Sequence, residues 1–202
     1  MSKILTIDYE TSDSRVNFGQ VLQAGIVISD DKLNIQSRHE LRCRLKPTVI
    51  PSIGACLVHK IPVNILKNSN KSHYEMVLEH YNLIKDNTPS VVMGFNQVAF
   101  DIEFYRRMLY KSLIPDVYQT NTNGNRHLDI LNVSRAAKFA DNDSIQTILN
   151  EKNRDSFKLA DLSTANKINN GTSHDAITDC LNSIDLAKII FKKTNHIWND
   201  AL

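Results

Sequence analysis

The sequence predicts an α/β or α+β domain built as one sheet covered by helices. Three observations predict it: β-like runs crowd the start of the chain, helical patterns fill its later part, and a single strand and helix are inserted between them. With 202 residues, 42% of them hydrophobic and 23% charged, the chain fits one globular domain with a sizeable core.

The first element is the apolar run Ile4-Leu5-Thr6-Ile7, set directly against Asp8-Tyr9-Glu10-Thr11. Successive side chains of a strand alternate between faces, so Asp8 and Glu10 point the same way from its end. Two anions so placed repel each other and are tolerable mainly with a cation between them. A hard divalent ion such as Mg²⁺ or Mn²⁺ suits oxygen ligands and keeps positions open for a substrate phosphate. Read alone, the same string is a strand running into a polar turn over Thr11 to Ser14.

Val21 to Ser29 is a second β-like run. In Glu40 to Lys46, inward Leu41, Cys43 and Leu45 alternate with outward Arg42 and Arg44, which makes a third strand of a meander. The two arginines read as a solvated sheet face and carry no assigned role. Thr48 to Asn70, broken by Pro51 and Pro62, is a long surface excursion with room for one short helix. Ser72 and Glu75 then form a capping box. The helix they open has Tyr74, Val77, Leu78, Tyr81 and Ile84 as its apolar face, which leaves His73 and His80 exposed.

Pro89 closes that helix, and Val91 to Phe95 is a short buried strand. A helix follows from about Ile102 to Lys111, with Asp101 at its N-terminus, where a plain capping role is available. Thr120 to Arg126 is a polar loop with an Asn-Gly turn, and His127-Leu128-Asp129 opens a helix through about Phe139. The polar, poorly periodic stretch from Asp141 to Asp155 is expected to be a mobile insertion. Lys158 to Lys167 carries a short helix that Asn169-Asn170-Gly171 breaks. Asp175 to Lys193 is a long amphipathic helix using Ala176, Leu181, Ile184, Ala187 and Ile190.

A net charge of +2 neither demands nor excludes a nucleic-acid partner, because bound divalent ions would add positive charge that the sequence does not count. Cys43, Cys56 and Cys180 are far apart, with no Cys-x-x-Cys pair for zinc or redox chemistry. No apolar run is long enough for a membrane span and the start of the chain lacks the regions of a secretory signal, so a cytoplasmic protein is expected.

The last long helix opens with His174-Asp175-Ala176-Ile177-Thr178-Asp179. A helix would hold Asp179 as a metal ligand, while His174, on a hinge after Asn169 to Ser173, could approach a metal-bound water as general base. An imidazole with an ordinary pKa of about 6.5 suits that role. Alone, His174 also reads as a capping or surface histidine.

Asp8 with Glu10, then Asp101, then His174 with Asp179, in this order and with their flanking apolar strands, resemble the DEDDh group of 3′→5′ exonucleases. Within that group the chain is most similar to the nuclease domain of the bacterial exonuclease I family. The matching stretches are Asp8-Tyr9-Glu10-Thr11, Gln23-Ala24-Gly25, Gly94 to Asp101, Leu128 to Leu131, Ser156 to Leu159, Ala165-Asn166, and Ser173 to Ala176 with Asp179. Val58-His59-Lys60-Ile61-Pro62 departs from a Thr-Gly-Ile-Thr-like loop, and Ala160 stands where an acidic residue is common.

The resemblance implies a ribonuclease-H-like mixed sheet flanked by helices, and two-metal phosphodiester hydrolysis that releases 5′-mononucleotides from single-stranded DNA. Asp8, Glu10, Asp101 and Asp179 would hold two Mg²⁺ ions, with Mn²⁺ as substitute; His174 would take a proton from water; Thr11, Asn96 and Phe100 would grip the terminal nucleotide. It implies a place in DNA repair or recombination, and a single-stranded-DNA-binding protein as a further partner. It also implies that residues 1–202 form a single exonuclease domain cut short before C-terminal domains, so that digestion is distributive. Two alternatives stand beside it: an RNA-directed exonuclease of the same group, and a nucleic-acid-binding module with a silent site.

Overall fold

The computed structural model describes Lys3 to Gly171 and Asp175 to Leu202. Five strands form one mixed sheet: β1 (Lys3–Thr11), β2 (Val21–Ser29), β3 (Ile35–Arg42), β4 (Ser90–Gly94) and β5 (Arg126–Asp129), in the order β3-β2-β1-β4-β5. The first three pair antiparallel as the expected meander, while β4 adds parallel to β1 and β5 parallel to β4. This is the ribonuclease-H-like arrangement. The helices are α1 (Ile53–His59), α2 (Val63–Asn68), α3 (His73–Asp86), α4 (Asp101–Lys111), α5 (Ile130–Ala140), α6 (Leu159–Ala165), α7 (Ala176–Lys193) and α8 (Asn195–Ala201).

Alternation along β1 divides the interior into two cores. Leu5, Ile7 and Tyr9 face a cluster with Met76, Val77 and Ile84 of α3 and with Ile102, Phe104, Tyr105 and Met108 of α4. Ile4 belongs to the opposite cluster, with Val133 of α5, Leu162 of α6, Cys180, Ile184 and Ile190 of α7, and Trp198 of α8. Hydrophobic burial on both faces is the main stabilising term, and polar groups buried within the layers need partners there, as His80 and Tyr9 have in each other.

Several expectations are corrected. β3 begins at Ile35 and ends at Arg42, earlier than the run from Glu40 to Lys46. It is an edge strand whose residues are mostly exposed or half-buried, so it lacks the apolar alternation that marks a strand in sequence. The Thr48 to Asn70 excursion holds two short helices instead of one. Residues Arg126 to Asp129 form β5, and the helix begins only at Ile130, because parallel pairing with Val91 to Gly94 overrides the local helical pattern. The Asp141 to Asp155 stretch is not loose: Ile145 is fully buried, Asn166 exchanges hydrogen bonds with the Gln146 backbone at 2.9 and 2.8 Å, and Leu149 bridges Asp155.

The capping box at Ser72 and Glu75 forms as read, but the face of α3 is rotated. Its buried residues are His73, Met76, Val77, His80 and Ile84, whereas Tyr74 and Leu78 are exposed. Both histidines are therefore inside. His80 earns its place by a 2.7 Å hydrogen bond between its Nε2 and the Tyr9 hydroxyl, and its ring lies 4.9 Å from that of Tyr105. Burial pushes its pKa down to about 4, so it sits there neutral.

Gly25 of β2 lets α7 reach the sheet. A Cβ there would lie 2.5 Å from the carbonyl oxygen of Ala176, the first residue of α7. Cys180, one turn on, is buried with its Sγ 3.5 Å from the carbonyls of Thr6 and Gly25. Replacing Gly25 with alanine is expected to lift the start of α7 and destabilise the fold by about 1–3 kcal/mol. Denaturant unfolding checks this; an unchanged midpoint would show that the helix does not need the close approach.

Candidate active site

Asp8 and Glu10 leave β1 on the face covered by α7, and the β1–β2 register slips between Glu10 and Thr11, just beyond them. Asp179 stands in the first turn of α7, opposite them. One carboxylate oxygen from each of Asp8, Glu10 and Asp179 falls within 4.8 Å of the others. Asp101 is the first residue of α4; Phe100 takes the capping position and makes no side-chain cap bond, so Asp101 is not the cap. Its buried carboxylate accepts the backbone N–H groups of Asp101 itself and of Tyr9. All four carboxylates line one open cavity of about 460 Å³, together with the predicted Thr11, Asn96 and Phe100. His174 lies outside the described residues.

Electrostatics mark the cluster as an anion-crowded site. Burial, then the charges of Asp101, Asp179 and Glu10, push the Asp8 carboxyl well above the ordinary carboxylate range. Burial and then Asp179 and Asp175 raise Glu10 to about 7. Asp101 rises to about 8 because burial, with help from Asp129 and Glu10, outweighs its two backbone hydrogen bonds. Each of these shifts is a cost of holding negative charges together away from water. A cation removes that cost, and a donor set made wholly of carboxylate oxygens fits a hard divalent ion rather than a soft one.

Residues quoted in sequence only as matching stretches turn out to build the site. Asp129 caps α5 by accepting the Leu131 N–H at 3.1 Å and also accepts those of Asn96 at 2.9 Å and Val98 at 3.3 Å. Gln97, fully buried, donates to the carbonyls of Val92 at 2.7 Å and Leu128 at 3.1 Å. These bonds fasten the turn that delivers Phe100 and Asp101. On the other side, Asp175 caps α7, accepting from the Thr178 N–H at 3.1 Å and from Gln23 Nε2 at 3.1 Å. Gln23 also donates to Glu40, which pairs with Arg42, and Arg42 reaches to 4.0 Å from Asp175. Arg42 thus has a structural task that its exposed position did not suggest. Burial favours a raised pKa for Asp175, but the hydrogen bonds from Gln23 and Thr178 and the charge of Arg42 win and hold it low.

His59, in the loop noted as a departure, also lines the cavity and is buried. Its Nδ1 accepts the Ile61 N–H at 2.9 Å, so the neutral ring carries its proton on Nε2. Lys60, the C-cap of α1, takes a left-handed φ of 55° and returns its N–H to the Cys56 carbonyl.

Comparison with known proteins agrees with this fold. No protein-family model matches the chain. Exodeoxyribonuclease I of Buchnera aphidicola subsp. Acyrthosiphon pisum is 28% identical over 196 residues, 96% of this chain and 47% of the relative. The crystal structure of E. coli exonuclease I in complex with a dA16 oligonucleotide superimposes with a TM-score of 0.94 at 24% identity, covering 99% of this chain and 43% of that one. Over nearly its whole length the chain is similar to bacterial exodeoxyribonuclease I. It spans less than half the length of these relatives. A zinc-bound form of the E. coli exonuclease I complex with single-stranded DNA matches equally in fold, with a TM-score of 0.92 at 24% identity over 99% of this chain and 42% of that one. Among the described residues, no helix is long and apolar enough to cross a membrane, and the three cysteines are free.

The raised carboxyls set a pH dependence. Folded Glu10 and Asp101 hold protons that the unfolded chain releases near pH 4, so metal-free stability declines from about pH 4 through about pH 8. Thermal unfolding in EDTA should therefore show a lower midpoint at pH 8.5 than at pH 5.5, with the difference reduced by Mn²⁺ and by Glu10→Gln. Equal midpoints at both pH values would contradict the clustering.

Proposed function

We propose that this chain is a 3′→5′ exonuclease domain that removes 5′-mononucleotides from single-stranded DNA. The observation that carries the reading is the meeting of Asp8, Glu10 and Asp179 oxygens within 4.8 Å, beside Asp101, in an open cavity. Similarity to exodeoxyribonuclease I over 96% of the chain supports the choice of substrate.

In this reading Asp8, Glu10, Asp101 and Asp179 hold two Mg²⁺ ions, with Mn²⁺ able to replace them. When bound, such ions supply an activated water and stabilise the leaving 3′ oxygen. The protein's part is to bring the strand's end to the carboxylates and to manage one proton. His174, one residue before the cap of α7, is the assigned proton acceptor. The bonds of Asp175 to Gln23 and Thr178 fix the chain immediately after it.

Three cavity residues position the terminal nucleotide. The Thr11 hydroxyl donates to the Asp13 carbonyl at 3.0 Å, so it has only lone pairs to offer and suits a substrate hydroxyl as donor. Phe100 packs its ring 4.9 Å from that of Phe104 and presents an apolar wall to a base or sugar. Asn96 projects an exposed carboxamide that both donates and accepts. A role in DNA repair or recombination, a single-stranded-DNA-binding protein as partner, and residues 1–202 as one exonuclease domain are proposed on the resemblance alone, and a cytoplasmic setting on the sequence.

Digestion of a 5′-labelled single-stranded DNA oligomer tests the reading. We expect a ladder shortening from the 3′ end with Mg²⁺ or Mn²⁺, none in EDTA, and none with Asp179→Asn, whose circular dichroism and unfolding midpoint stay near those of the parent. Matched RNA should be degraded more slowly. A variant that still degrades DNA would show that the ligands are wrongly assigned, and RNA cleaved faster than DNA would move the substrate to the other nucleic acid.

A further inference from the structure

A second cavity, of about 250 Å³, opens between the turn at Asn17 to Val21, the segment at Lys46 to Val49 and the outer face of α4. Lys46, Arg107 and Lys111 line it, and among the described residues no carboxylate does. Arg107 and Lys111 stand one helical turn apart on α4, while Lys46 comes from the chain beyond β3. None of the three takes part in an ion pair among the described residues. Lys111 spends one hydrogen bond on the Asn17 carbonyl, at 2.9 Å.

The cations feel one another. Burial first, then the charges of Lys46 and Arg107, lower the Lys111 pKa. His73, buried in the wall, is pushed to about 4 by burial and then by Lys46 and Lys111. A lysine in the last turn of α4 offsets the helix dipole, but that does not account for Lys46, which belongs to another element. Three unpaired cations converging on a concave space without an acid are the counterpart of the carboxylate cavity: they need an anion as the carboxylates need a cation.

We propose that this cavity is a phosphate-binding site, separate from the carboxylate cavity, with Lys46, Arg107 and Lys111 as its cations. Its volume admits a phosphate group with room to spare, since one water occupies about 30 Å³. The site is linked to the carboxylate cavity through a single turn. Gln20, in its wall, accepts the Lys46 N–H at 2.9 Å on its side chain and donates its own N–H to Ser12 Oγ at 2.9 Å. The Ser12 carbonyl in turn accepts the N–H of Ser52, which lines the carboxylate cavity. The phosphate is either a diester of the same strand, more distant from its 3′ end, or a free monophosphate; the first source rests on the nuclease reading and the second does not.

Binding measured in EDTA, where no turnover occurs, separates the possibilities. Inorganic phosphate is titrated against the full chain by calorimetry, with the His73 ring resonances followed by NMR, in the parent and in Lys46→Ala/Arg107→Ala. Phosphate should bind the parent, shift His73, and bind the double variant about tenfold or more weakly. Labelled single strands are then compared by anisotropy. If the strand supplies the phosphate, long oligomers lose affinity in the double variant, dinucleotides do not, and the slope of log affinity against log salt falls by about 0.7 per cation removed. If only phosphate binding changes, the occupant is a free monophosphate. Phosphate and long strands that bind parent and variant alike, or phosphate that does not bind the parent, overturn the proposal. Neither result depends on whether the ladder assay shows cleavage.

Discussion

The repulsion among carboxylates at the open end of the sheet is the constraint around which the molecule is arranged. Asp8, Glu10 and Asp179 come within a few ångströms of one another, and Asp101 joins them from the opposite face of β1. In water four such groups would separate. Here each is carried by an element that cannot move alone: β1 is the central strand of the sheet, α4 and α7 are each packed along it, and two apolar cores lock those helices from opposite sides. Hydrophobic burial thus supplies the free energy that holds the charges in place, and a bound divalent cation would offset their repulsion.

Position, not only proximity, has to be maintained. Two hydrogen-bonded brackets do this. The first runs from Asp129 and Gln97 to the turn before Asp101; the second runs from Arg42 and Glu40 through Gln23 to Asp175. Each ties a loop to a neighbouring strand end; the first is built from the buried Asp129 and Gln97, and the second runs from the exposed Arg42 and Glu40 inward to the buried Gln23 and to Asp175. The glycine at position 25 completes the second bracket by letting the backbone of α7 touch β2. Tyr9, next to both acids but facing the other way, is held by His80, so the strand is supported from behind the site as well.

Charge is segregated along the same region of the surface. The acidic cavity and the basic one flank the turn from Ser12 to Gln20, with Ser12 bonded to residues of both walls. A phosphodiester chain carries what each side needs: oxygens for a cation held by carboxylates, and further charges for lysine and arginine. The near-neutral sum of the sequence conceals this, because opposite charges cancel in a total while remaining apart in space.

The sequence by itself determined the main frame and the acidic character of the cavity. Asp8 and Glu10 share a face because strand geometry alternates; Asp179 lies one turn inside a helix whose cap and apolar stripe are written locally; and β1, β2, α4 and α7 match their patterns almost to the residue. Tertiary structure decided what depends on a partner distant in sequence. β5 exists because it pairs with β4, the edge strand β3 is held by β2 in spite of its polar residues, and the histidines of α3 are buried because Tyr9 and the α4 core lie above them. The working parts of Asp129, Gln23 and Arg42 were illegible for the same reason: a hydrogen bond between residues far apart in the chain leaves no periodic trace in either segment, and only the fold brings its two ends together.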